Sequence, residues 1–194
     1  MSHTPPRSRR TPVASALVAS ALAAATAPLA AQPSLPTVPS VDVQRYAGTW
    51  HEIARLPNRF QAHCAGEVTA TYAPRADGAI AVTNRCRTAS GALDEAEGVA
   101  MPQDGTNAKL SVTFLPSWLR WLPVGRGDYW VIDLDPDYRW VMVGEPKREY
   151  LWVLAREPVL PAATLERLLG RAKEAGFPTD RVVGSAPKPP AKAD

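Results

Sequence analysis

Between residues 41 and 185 the chain alternates short apolar-rich runs with turn residues at fairly even spacing. Runs over 49–56, 67–72, 79–86, 93–101, 108–114, 128–135, 138–144 and 149–156 read as strands. Pro57-Asn58 stops the first, and Pro74 to Gly78 turns between the second and third. Pro102 stops the fourth, Asp104 to Asn107 leads into the fifth, and Asp135-Pro136-Asp137 joins the sixth and seventh. Then the period changes. Residues 161–175 carry Leu165, Leu168, Leu169 and Ala172 at helical spacing, and Gly176 follows as a C-terminal stop. The pattern predicts an all-β domain with one C-terminal helix. Short links favour an eight-stranded antiparallel up-and-down β-barrel, which removes exposed edges and leaves room for one small ligand. An open two-sheet sandwich fits the same pattern. The apolar stripe of the helix needs a partner, most simply the barrel wall.

The flanks read differently. Arg7, Arg9 and Arg10 precede an Ala-rich apolar stretch with small residues at Ala27, Ala30 and Ala31. Residues 1–31 are therefore expected to be a signal peptide cut after Ala31. Arg9-Arg10 is a weak twin-arginine signal, because Thr11-Pro12 follows where apolar residues are expected. Residues 32–40 read as a Pro-rich linker and 186–194 as a disordered tail. The formal charge of +3 is a property of this leader: its three arginines removed, 19 basic residues face 19 acidic ones. A neutral mature domain makes no electrostatic case for nucleic acid.

Export changes the meaning of the two cysteines. In an oxidising compartment an even number of Cys is a disulfide candidate before it is a metal site. Cys64 and Cys86 lie about the Pro74 to Gly78 turn with the same parity, so a regular hairpin brings them together. No Cys follows the apolar leader, which favours a soluble periplasmic protein over a lipid-anchored one.

Catalytic patterns are missing: the sequence holds no G-x-S-x-G, H-E-x-x-H or phosphate loop. His51 lies beside Trp50 on a strand, and His63 lies in a loop beside Cys64. Neither suggests a metal or a haem, and no cofactor is expected. A binding protein is expected, not an enzyme. The alternatives are an isomerase using Glu52 as an inward acid, or a pigment or haem binder.

Gly48-Thr49-Trp50 opens the first strand, and Arg156 closes the last in LWVLAR. With YAGTWHEIARLPNRF, VTATYAPRADG and YLWVLAREP in this order, the chain resembles the lipocalin family, in particular bacterial outer-membrane lipocalins and their apolipoprotein D-like relatives. The resemblance spans nearly all of 41–183. It implies a barrel base in which Arg156 packs on Trp50 beside Gly48. It also implies storage or transport of a lipid for envelope maintenance.

In an eight-strand meander alternate links share an end. The 74–78, 104–107 and 135–137 turns fall at the base with Trp50 and Arg156. The links at 57–66, 88–92, 115–127 and 145–148 form the open end. The third of these carries Trp118, Leu119, Trp121 and Leu122. Such a loop suits a lid, a peripheral membrane contact or a homodimer contact, unless it packs on itself. The candidate ligand-binding residues are Glu52, Tyr72, Phe114, Trp118, Trp121, Tyr129, Trp130, Trp140, Tyr150 and Trp152. Arg120, Arg126 and Lys147 are placed to meet an anionic head. The expected ligand is a small amphiphilic lipid, a fatty acid or a lysophospholipid, since burial of each CH₂ gains ~0.8 kcal/mol. A bulge anywhere would invert the inward parity.

Overall fold

The computed structural model describes Met1 and residues 34–122 and 124–185. The signal peptide read over 1–31 and the tail read over 186–194 otherwise lie outside the described residues.

Eight strands run in order: β1 (Gly48–Arg55), β2 (Cys64–Pro74), β3 (Ile80–Thr88), β4 (Leu93–Pro102), β5 (Lys109–Thr113), β6 (Arg126–Leu134), β7 (Trp140–Gly144) and β8 (Leu151–Ala155). Each pairs antiparallel with the next, and β1 pairs with both β2 and β8. The sheet thus closes into an up-and-down barrel, and the sandwich alternative falls away. A short helix α1 (Val43–Tyr46) precedes β1, and α2 (Ala162–Glu174) follows β8. A two-residue strand β9 (Val183–Gly184) was not legible in the pattern; it pairs with β1 where β2 has diverged.

Alternation along the strands divides the apolar residues into two clusters. The inner one joins Trp50, Tyr72, Val82, Ala100, Leu110, Val131, Val143 and Leu154. The outer one joins Ile53, Ala54, Met142 and Val153 with Leu168 and Ala172 of α2. The helix therefore lies on the barrel wall, its apolar stripe buried. Its C-terminus is tied to the β7–β8 link. Gly176 follows with φ +92, and the Arg148 Nε donates to Ala175 O at 2.7 Å. A side chain at Gly176 would meet that guanidinium at 3.2 Å, so glycine suits both the backbone and the space.

The base is closed by the segment before β1. Asp42 accepts from the N–H groups of Gln44 and Arg45, capping α1. Val41 N–H donates to Thr106 O, and Arg45 Nη2 donates to Pro136 O, which ties α1 to the two base turns. Packing begins earlier than Val41. Leu35 is buried in the outer cluster, and Val38 N–H donates to Val131 O. The described part of the Pro-rich segment is therefore part of the domain.

Cys64 and Cys86 form the expected disulfide, with Cα atoms 5.6 Å apart. It joins β2 to β3 near the mouth, where the β2 register shifts between Cys64 and Thr69.

Candidate functional site

The inner face is the candidate binding site, and it can be followed from base to mouth. At the base Trp50 is fully buried, and Arg156 lies 3.9 Å from its ring centroid. The same guanidinium donates to the carbonyls of Arg45, Ala47 and Thr49. A side chain on Gly48, at φ +95, would meet it at 3.3 Å. These contacts seal the base and leave no room there for a ligand.

Above Trp50 lies a floor of three tyrosines. The Tyr129 hydroxyl is 2.6 Å from that of Tyr46 and 2.8 Å from that of Tyr72. Burial pushes the Tyr72 phenol up to about 12 and the other two well above their ordinary value, so all three stay neutral. The floor is polar at its tips and uncharged. Val82 and Leu110 flank this floor as the register partners of Tyr72 and Tyr129, and Ala70 and Val112 continue the wall above it.

The charged part of the site depends on a bulge. The β1–β8 register shifts between Glu52 and Ala54. Trp50 and Glu52 face inward; Ile53 and Ala54 then both belong to the outer cluster, and Arg55 pairs with the inward Trp152. Ala54 and Leu56 have the parity of Trp50, yet both lie in the outer cluster, because the bulge reverses the strand. Glu52 is buried and accepts from Gln61 Nε2 at 2.6 Å and from Ser185 Oγ. Burial raises its carboxyl above the ordinary value, while the Ser185, Gln61 and Arg55 contacts oppose that shift. Gln61 also accepts from Trp152 Nε1 at 2.9 Å. One wall therefore carries Glu52, Arg55, Gln61, Trp152 and Ser185 as a connected group.

At the mouth Tyr150 stacks on Trp152, with ring centroids 5.9 Å apart, and Phe60 lies 5.7 Å from Tyr150. Phe114 continues the inward parity of Leu110 and Val112 and lies against Gly98, whose added Cβ would be 2.8 Å from the ring. The β4–β5 pairing stops at Val99, which leaves the mouth half of β4 with a neighbour on one side. Asp94 meets His63 Nε2 there at 2.9 Å, both half-exposed. His63, Cys64 and Cys86 offer donor atoms within 4.8 Å of one another, but the two sulfurs are bonded to each other.

Two aromatic candidates are on the wrong face. Trp140 pairs with Ala155, lies in the outer cluster under α2, and has Arg167 over its ring at 5.0 Å. Trp130 packs against the same cluster, with Lys109 4.7 Å above it. Neither lines the cavity, because strand parity sends them outward while Tyr129 and Val131 face in. Trp118 and Trp121 are 71% and 77% exposed, so the 115–122 loop does not pack them over the mouth. Arg120 is also drawn away. It lines a groove of about 240 Å³ with Arg75, Ala81, Val82, Thr83, Glu97, Gly98 and Val99; four of these, Ala81, Thr83, Glu97 and Val99, have the outward parity. Sequence reasoning missed Tyr46, Arg55, Gln61 and Ser185: the bulge hides Arg55, and Gln61 and Ser185 arrive from a loop and from the chain after α2.

Residues 41–187 match the lipocalin-like domain family. The chain is a lipocalin. This lipocalin is 40% identical over 143 residues to temperature-induced lipocalin-1 of Arabidopsis thaliana, covering 72% of this chain and 76% of that protein. It is 35% identical over 173 residues to the outer membrane lipoprotein Blc of Escherichia coli, covering 86% and 93%. Bovine apolipoprotein D is 31% identical over 143 residues, covering 70% of this chain and 71% of that protein. Among solved structures, insecticyanin from Manduca sexta superposes with a TM-score of 0.63 at 20% identity, covering 81% of the lipocalin and 86% of insecticyanin. That likeness is one of fold.

Proposed function

We propose that this lipocalin carries a single-chain lipid, a fatty acid or a lysophospholipid, in its barrel and serves lipid storage or transport in the cell envelope. Family membership implies a small hydrophobic ligand. The observation that favours a lipid with a polar head is the asymmetry of the cavity: an apolar wall above a neutral tyrosine floor, and a charged pair, Glu52 with Arg55, on one wall. An acyl chain gains burial at ~0.8 kcal/mol per CH₂, while its head stays near polar partners. The similarity to outer membrane lipoproteins named Blc supports an envelope location. Among the described residues no helix is long and apolar enough to cross a membrane.

The 115–122 loop suits lipid exchange. Exposed Trp118 and Trp121 beside Arg120 and Arg126 match an anionic membrane surface. Changing both Trp118 and Trp121 to Ser is expected to weaken binding to anionic vesicles by about tenfold, ~1.4 kcal/mol. Because both are exposed, stability should stay within ~0.5 kcal/mol. A vesicle sedimentation titration beside a denaturation curve checks this. Unchanged vesicle binding would assign the loop another role.

The experiment for the carrier reading is native mass spectrometry of protein purified from its own envelope, followed by extraction. A bound adduct with the mass of a single-chain lipid is expected. Protein that is stripped, then offered fatty acid and lysophospholipid, and remains empty would sink the reading.

A further inference from the structure

Arg120 and Arg126, nominated from their positions as head contacts, are engaged outside the cavity. Arg120 Nε donates to Leu115 O at 2.9 Å, and Arg126 Nη2 donates to Arg120 O at 2.7 Å. Arg55 is in a different situation. The β1 bulge turns it onto the inner face opposite Trp152, and its side chain is 14% exposed. Its Nε is buried and lies 3.1 Å from Glu52 Oε1, yet it is out of line for a hydrogen bond and donates to nothing. Among the described residues no hydrogen bond engages its terminal nitrogens either.

Glu52 is satisfied by neutral donors instead. Ser185 Oγ donates to Oε1, and Gln61 Nε2 donates to Oε2. Gln61 is itself fixed by Asn58 Nδ2 at 2.8 Å and Trp152 Nε1 at 2.9 Å, both donating to its Oε1. Each Glu52 carboxylate oxygen thus has one neutral donor, while the guanidinium forms no hydrogen bond of its own among the described residues. The guanidinium is ion-paired with Glu52 through Nε, and its terminal nitrogens are left to take an oxyanion, which accepts two parallel N–H bonds from the planar fork.

We propose that Arg55 is the headgroup anchor of the cavity and receives the oxyanion, carboxylate or phosphate, of a single-chain lipid. Glu52, held by Gln61 and Ser185, faces the guanidinium at 3.1 Å, and its carboxylate competes with the incoming oxyanion. The acyl chain then runs from Arg55 down the apolar wall toward Tyr129 and Tyr72. The proposal rests on the carrier reading and adds the charge of the ligand to it.

The test compares laurate, methyl laurate and 1-lauroyl lysophosphatidate on lipid-stripped protein by calorimetric titration. The wild type is expected to bind laurate or lysophosphatidate at least about tenfold tighter than the ester, and the tighter of the two acids names the source of the oxyanion. Arg55→Met should abolish the preference and leave the ester affinity within about twofold; Arg55→Lys should restore part of it. Glu52→Gln removes a competing carboxylate and should tighten laurate several-fold, a result that a structural pair would not give. Equal binding of acid and ester by the wild type, or a parallel loss of both in Arg55→Met, overturns the anchor while the carrier reading stands. If Arg55→Met does not fold, Glu52→Gln decides: unchanged or weaker laurate binding overturns the anchor. No binding of any of the three lipids overturns the carrier reading and the anchor with it.

Discussion

Replacing Trp50 with alanine is expected to cost the fold ~3–5 kcal/mol, the range for removing a large buried aromatic. Trp50 has no exposed surface, packs on Tyr46 with ring centroids 5.0 Å apart, and donates from Nε1 to Tyr46 O at 2.9 Å. Its loss also strands Arg156, which uses the indole face as a support while it donates to three carbonyls around α1 and β1. The cation–π contact alone accounts for ~0.5–2 kcal/mol. The measurement is the shift in a urea midpoint at fixed m-value. A change below ~1 kcal/mol would mean that the base is not closed by this residue.

Removing the disulfide by Cys64→Ser with Cys86→Ser is expected to cost ~3 kcal/mol, from the chain entropy of a cross-link spanning 22 positions. The loss should be felt at the mouth. There β2 is irregular between Cys64 and Thr69 and Glu67 has φ 49, so the β2–β3 ladder is interrupted beside the disulfide. Denaturation with and without reductant measures the effect, and intact mass after alkylation checks the bond itself. Exported protein that accepts two alkyl groups without reduction would contradict it.

The strand order, the helix and the division into base and mouth are legible in the sequence because each rests on a local signal repeated many times. Turn residues mark the links, and alternation assigns Tyr72, Val82 and Leu110 to one face. The disulfide follows from the same parity. What is not legible depends on single irregularities. One extra residue near Ile53 reverses β1, so Arg55 enters the cavity while Ala54 and Leu56 go under α2. Trp130 and Trp140 read as ligand aromatics because a buried outer wall is as apolar as an inner one. The pattern gives their alternation and not which side the helix covers. Gln61 and Ser185 reach Glu52 across separations of 9 and 133 residues, and no sequence period encodes such contacts.

A lipid carried in the proposed way places its acyl chain in the barrel beside Trp152. Titrating the Trp118→Ser/Trp121→Ser protein with 9,10-dibromostearate tests it, because bromine quenches indole fluorescence only on close approach. The remaining tryptophans are divided by the fold: Trp50 and Trp152 face inward, and Trp130 and Trp140 face the outer wall. Saturable quenching at one lipid per protein is expected, and Trp152→Phe should remove most of it. Quenching that survives Trp152→Phe unchanged, or none at all, would contradict a lipid-filled barrel.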